Sequence, residues 1–187
     1  MDKVATLAPA PSRRPKSNMD TFLTIASKRD LRSYAPDPVP PEALERVLEA
    51  GRVSSNAKNL QERRFVVLSA AARERAATFV TRASNLERAV AAVAIVTRGG
   101  RWAAFDAGRC AQNMMLAAWN EGVGSCPNAI ADPEACAELF SLEEAEEVAV
   151  LLSFGFPPGR RDPGSRPLEE WLAGADRESV SSLVTEV

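Results

Sequence analysis

The run Ala89-Val90-Ala91-Ala92-Val93-Ala94-Ile95-Val96, closed by Gly99-Gly100, is apolar at every position. At eight residues it is far shorter than the roughly 20 a membrane-spanning helix needs, and without alternation it suits a strand covered on both faces. A second such strand runs from Val148 to Phe154 and stops at Gly155-Phe156-Pro157-Pro158-Gly159, and a third is Phe65-Val66-Val67-Leu68. The helical patterns lie before, between and after these strands. Asp20 is placed to cap a helix carrying Phe22, Leu23, Ile25 and Ala26 on one face; Pro41 opens a second, Glu42 to Arg52, with Leu44, Val47 and Leu48. An alanine-rich helix follows from Ala70 to about Arg82, and the longest runs from Trp102 to Glu121, with Gly108, Ala111, Met115 and Ala118 on one face and Gly122 as its stop. Asp132-Pro133-Glu134 opens another helix through Leu139, and a short one lies around Leu168 to Leu172. This order predicts an α+β fold: an α/β sandwich whose small, mixed, mainly antiparallel sheet is flanked by helices.

A chain of 187 residues, 45% of them apolar, buries one substantial core. With 23 basic and 25 acidic side chains, the net charge of -2 gives no global positive field for nucleic acid. Histidine is absent, which removes Ser-His-Asp and Cys-His catalysis and the commonest metal ligand. Chemistry in such a chain is brought by a cofactor. Cys110, Cys126 and Cys136 are odd in number and lack metal-ligand spacing, which fits a reducing cytoplasm, and no secretory or long apolar segment appears. Residues 1–18, with Pro9, Pro11, Pro15, Arg13, Arg14 and Lys16, read as a flexible tail.

Two polar segments carry the functional signal. Lys28-Arg29-Asp30-Leu31-Arg32 stands at the exit of the first helix, where cations three or four residues apart can clamp a phosphate; alone, it reads equally as a solvated helix end with Asp30 paired to its neighbours. Ser54-Ser55-Asn56-Ala57-Lys58-Asn59-Leu60-Gln61 precedes a core strand. Its carboxamides both donate and accept, so it can read the edge of a flat heterocycle, although such residues also favour turns for backbone reasons. Together the two segments suggest a phosphorylated heteroaromatic cofactor. Gly122-Val123-Gly124-Ser125-Cys126-Pro127 follows a helix rather than opening one, so it is no dinucleotide fingerprint and reads as a loop exposing backbone amides. Cys126 has no base to activate it, and Trp102, Trp119 and Trp171 are too dispersed for a stacking platform.

In order and spacing these segments resemble the nitroreductase superfamily of FMN-dependent oxidoreductases. Lys28 to Tyr34 resembles its R-R-(S/D)-x-R-x-(F/Y), followed by Asp37-Pro38-Val39-Pro40; Ser54 to Gln61 resembles P-S-x-x-N-x-Q. Asp106 to Asn113 with Leu116-Ala117-Ala118 resembles D-x-G-x-A-x-Q-N-x-x-L-A-A, and Gly155-Phe156-Pro157 resembles G-Y-P. The resemblance implies an FMN-binding domain over residues 19–159 and a C-terminal arm over 160–187 that packs on the partner of a homodimer, with FMN at the interface. By position, Lys28, Arg29, Asp30 and Arg32 would serve the phosphate and ribityl end together with Arg166 or its neighbours Arg160 and Arg161. Asn56, Asn59 and Gln61 would contact the other protomer's flavin, and Pro127, Asn128 and Ala129 would flank its ring. The implied activity moves hydride or electron pairs through flavin N5, from NAD(P)H to a nitroaromatic, quinone or enone, with no obligatory side-chain acid or base and no metal. A specialised biosynthetic flavin dehydrogenase or oxidase, a flavin-consuming enzyme, and a non-catalytic flavin-binding protein are the alternatives. Two departures stand out: Glu62-Arg63 where the family has Pro-Trp, and Ser55 where it has proline. The segment between Leu68 and Ala107 is also shorter than in typical members, which implies a more open pocket and a larger or unusual acceptor.

Overall fold

The computed structural model describes residues 20–159 and 161–187; the expected tail and Arg160 lie outside them. The run that opened the sequence forms β2 (Ala91–Arg98), which pairs antiparallel with β1 (Arg63–Val67) on one side and β4 (Glu146–Gly155) on the other. A further strand, β3 (Gly124–Asn128), pairs antiparallel with the far edge of β4, giving the order β1-β2-β4-β3. The parallel contact among the described residues is an isolated bridge between Asp30 and Ser125.

Both faces of β2 are covered, which is why it carries no polar alternation. Val93 and Ile95 join Leu152 and Phe154 beneath α2 (Pro41–Arg52) and α5 (Ala103–Asn120). Ala92, Ala94 and Leu151 face the opposite layer, built from α3 (Ala70–Ala77), α4 (Ser84–Glu87) and α6 (Pro133–Phe140). Each fully buried Val, Ile or Leu side chain here stabilises by about 1.5–3 kcal/mol relative to an exposed one. The two layers make the predicted sandwich.

Several elements differ from expectation for local reasons. The glycine-containing stretch after α5 is strand β3 rather than a loop; an edge strand needs partners on one side only, and that is where a sheet accommodates a proline such as Pro127. The alanine-rich helix ends at Ala77, because Phe79 and Val80 turn inward to be buried and Val80 bridges to Ile130. On α5 the packed face is Ala107, Cys110, Ala111, Met114, Met115, Ala118 and Trp119, so Gly108 faces solvent. In the C-terminal segment, α7 (Leu168–Ala173) lies against α1 (Thr21–Ser27) of its own chain, while α8 (Val180–Leu183) is bare. No described helix is long and apolar enough to cross a membrane.

A charged cluster ties β1, β2 and β4 together. Glu146 accepts Arg64 Nη2 at 2.8 Å and Nε at 3.1 Å, and the backbone amide of Glu143 at 3.1 Å. The Arg64 bond, helped by that amide, holds the Glu146 carboxyl down from 4.5 to about 2. Because the folded value lies below the ordinary one, the stability this linkage gives is present above about pH 4.5 and disappears as pH falls through about 2. Glu146→Gln should therefore flatten that part of the acid-unfolding curve; an unchanged curve contradicts the linkage.

The close approach of Gly155 to Tyr34 supplies a second test. A Cβ at Gly155 would lie 2.7 Å from Tyr34 Cβ and 2.8 Å from Cγ. The ring cannot step aside freely, because its hydroxyl donates to the Leu31 carbonyl and meets Ser153 Oγ at 3.0 Å. Gly155→Ala should lower unfolding free energy by about 1–3 kcal/mol, as overpacked sites do, measured as a lower urea midpoint at unchanged slope.

Candidate functional site

The basic pentad is positioned by how α1 ends and docks. Asp20 caps the helix by accepting from the amides of Phe22 (2.9 Å) and Leu23 (3.2 Å). At the other end the Trp119 indole on α5 donates to Ser27 Oγ at 2.9 Å, a buried bond that fixes the pentad against α5. Lys28 pairs with the Asp30 carboxylate and its ammonium lies 3.4 Å from Met115 Sδ, so it is half-buried and already neutralised. Arg29 donates to the carbonyls of Ala26 (2.7 Å) and Lys28 (2.9 Å), closing the helix C-terminus. Its guanidinium lies 5.3 Å from the centroid of the Trp171 ring, and that of Arg166 lies 5.2 Å from the same ring. Arg32 is exposed nearby. Among the described residues, Arg29 and Arg166 form no ion pair, so two guanidiniums meet at this ring without a carboxylate between them.

The amide strip is pinned to α5 further along. Ser54 is buried, donates to the Ala50 carbonyl at 2.8 Å and accepts from Asn113 Nδ2 at 2.8 Å. The amide of Ala57 donates to Asp106 Oδ2 at 3.0 Å, and Asn56 Oδ1 accepts from the Gln61 amide at 2.8 Å. Asn56 is thus a turn-former. Between these anchors Lys58, Asn59 and Gln61 adopt left-handed φ values of 50, 55 and 57°. Such conformations cost about 1–3 kcal/mol each and cluster at functional sites. They leave all three residues exposed.

Arg63, which departs from the family pattern, is an anchor. Its Nη2 donates to the carbonyls of Ser54 (2.7 Å), Arg52 (3.0 Å) and Gly51 (3.3 Å), satisfying groups that the end of α2 leaves open. Glu62 is exposed at a cleft of about 100 Å³ lined also by Ala57, Leu60, Thr97, Arg101 and Trp102.

At the end of β3 the three predicted positions separate. Asn128 is buried, and its Nδ2 donates to Leu151 O (3.0 Å), Cys126 O (3.1 Å) and Ser153 Oγ (3.2 Å), while Oδ1 accepts from Asn85 at 2.9 Å. That side chain belongs to the core. Pro127 and Ala129 are exposed, and the Ala129 carbonyl accepts from the Thr81 amide at 3.0 Å. Burial pushes the Cys126 thiol up, helped by the charge of Asp30, and raises Cys110 to about 11, so neither is a thiolate at neutral pH.

The structure thus brings Arg29 and Arg166 to one ring at one end, with Arg32 beside Cys126, and sets Asn59 and Gln61 at another, but not to each other. Met115 and Asp106, which mark the two ends, are nine residues apart on α5. At 1.5 Å per residue that is about 13 Å. Trp171, Arg63 and Asp106 are the contributors that residue type alone did not reveal as supports of the site; for Asp106 the signal was its place in the motif on α5.

The model of the Nitroreductase family matches residues 25–99 and 96–156, most of the chain. The chain belongs to the nitroreductase family. No curated protein matches it in sequence. Among solved structures, this family member resembles a nitroreductase family protein of Clostridium difficile, with a TM-score of 0.74 and 20% identity, covering 89% of this chain and 98% of that one. It resembles an FMN-dependent nitroreductase of the same species with a TM-score of 0.65 and 22% identity over 75% of this chain and 88% of that one. Nitroreductase A of Vibrio parahaemolyticus is similar at a TM-score of 0.68 and 24% identity, with 75% and 69% covered. These likenesses establish the fold.

If Asp106 holds the strip of this nitroreductase-family protein, Asp106→Ala should free the Ala57 amide. We expect a stability loss of about 1–3 kcal/mol, the usual penalty for an orphaned partner of a charged hydrogen bond, and faster amide exchange across residues 57–61. Unchanged exchange there would contradict the assignment.

Proposed function

We propose that this protein is an FMN-dependent oxidoreductase, working as a homodimer with flavin at the interface. The observation that carries this reading is the meeting of Arg29 and Arg166 on the Trp171 ring, neither ion-paired among the described residues, where α1 ends, with Arg32 three residues beyond Arg29. A phosphate monoester suits such a site, because guanidinium forks bind its oxygens bidentately. FMN bound there would supply two-electron chemistry at N5, for which NAD(P)H would be the hydride donor and a nitroaromatic, quinone or enone the acceptor.

The chain's own residues bind and orient. Arg29, Arg32 and Arg166 hold the phosphate; Lys28, fixed by Asp30 and Met115, lines the approach to it. Asn59 and Gln61, exposed by left-handed backbone, present their carboxamides outward, and Pro127 and Ala129 offer small surfaces at the end of β3. No side chain needs to move a proton: the chain has no histidine, and the Cys110 and Cys126 thiols are held protonated. Hydride transfer depends instead on distance and orientation.

In this reading the strip of one protomer serves the flavin held by the other, which fits the separate anchoring of the two segments at Met115 and Asp106 of α5. Exposed Phe22, Ile25, Phe105, Leu172, Val180 and Leu183 supply apolar surface for a second copy to cover.

Mixed dimers test this arrangement. An Arg29→Ala/Arg166→Ala chain and an Asn59→Ala/Gln61→Ala chain should each retain little FMN alone. Co-expressed with separate tags and purified as heterodimers, they should regain up to one FMN per dimer, because one of the two shared sites is then intact. Anaerobic NADPH should bleach that flavin. Heterodimers that stay colourless, although wild type is yellow, would place both segments at one protomer's site and overturn the shared arrangement.

A further inference from the structure

We propose that Trp171 is a positioning residue for the phosphate-binding end: its indole gathers Arg29 and Arg166 into one paired cationic site for a phosphate monoester. This rests on the FMN reading above and assigns the means by which the arm contributes to it. Arg29 leaves α1 and Arg166 enters the arm 137 positions later, yet both guanidiniums lie within 5.3 Å of the same ring centroid. Two like charges brought together repel, and exposed arginines normally disperse into solvent. The negative face of the indole offsets part of that repulsion by attracting each cation.

The ring is itself held. Its Nε1 donates to the Pro163 carbonyl at 3.0 Å, across the short 3-10 turn Pro163–Ser165, and the Trp171 carbonyl lies 3.5 Å from Arg29 Nη2. Arg29 has further support from the Ala26 and Lys28 carbonyls. Arg166 has none among the described residues, so the ring is what places it. A phosphate dianion arriving beside the ring meets two guanidiniums already held there, which is how preorganisation favours binding. Trp171 is half-buried, so its exchange does not excavate the core.

The test is FMN affinity of the full-length protein, measured by quenching of flavin fluorescence, in Trp171→Leu and Trp171→Phe. Each cation–π contact at an exposed site amounts to a factor of about two to five in affinity, so losing both should weaken FMN binding about ten-fold in Trp171→Leu. Trp171→Phe, which keeps a ring face, should stay within about three-fold of wild type. Wild-type affinity in Trp171→Leu overturns the proposal, as does equal weakening in both variants, which would reduce the residue to packing. Should Trp171→Leu melt below wild type, Arg166→Ala and the double variant decide: the double variant must lose less than the product of the two single losses, and a full product overturns the coupling. Failure of wild type to bind FMN at all would instead sink the FMN reading itself.

Discussion

Everything at the candidate site is referred to one helix. Through Ala107, Cys110, Ala111, Met114 and Ala118, α5 lies on the same core as Val93, Ile95, Leu152 and Phe154, so it cannot shift without opening that cluster. The same helix carries the tethers: Asp106 to the Ala57 amide, Asn113 to Ser54, Met115 to Lys28 and Trp119 to Ser27. Since a helix advances by a fixed increment per residue, the positions of those four side chains set the spacing of the two functional segments. Sequence spacing in this helix is site geometry.

The amide strip shows how local strain is sustained. Three non-glycine residues in left-handed conformation would not persist in a free loop. They persist because the segment is tied at Ser54, Ala57 and Asn56, and because Arg63 closes the end of α2 immediately before it. Stability contributed by those anchors is exchanged for a fixed outward presentation of Asn59 and Gln61. At the opposite end of α5 the opposition is between like charges, and the indole of Trp171 together with helix-end carbonyls moderates it.

The features most legible in the sequence were those with a local cause. Unbroken apolar runs declared β2 and β4; Asp20 and Asp132 cap the helices they precede, each accepting from backbone amides. The pentad and the strip were legible as residue types. Direction was not: a carboxamide in sequence carries no sign of whether it faces solvent or core, and Asn128 turns inward to serve Leu151, Ser153 and Asn85. Strand β3 was hidden because Gly124 and Pro127 interrupt the apolar pattern while its pairing partner, β4, lies more than twenty residues away. The meeting of Arg29, Arg166 and Trp171 depends on the arm folding back, which no periodicity encodes.

The three carbonyls gripped by Arg63 bear on which residues position 63 can accept. The chain has coupled the end of α2 to a guanidinium at position 63. An indole at that position has a single donor and cannot reach all three acceptors. Replacing Arg63 would therefore leave the Arg52 and Ser54 carbonyls without this donor, making position 63 a keystone that tolerates little exchange unless α2 is re-terminated at the same time.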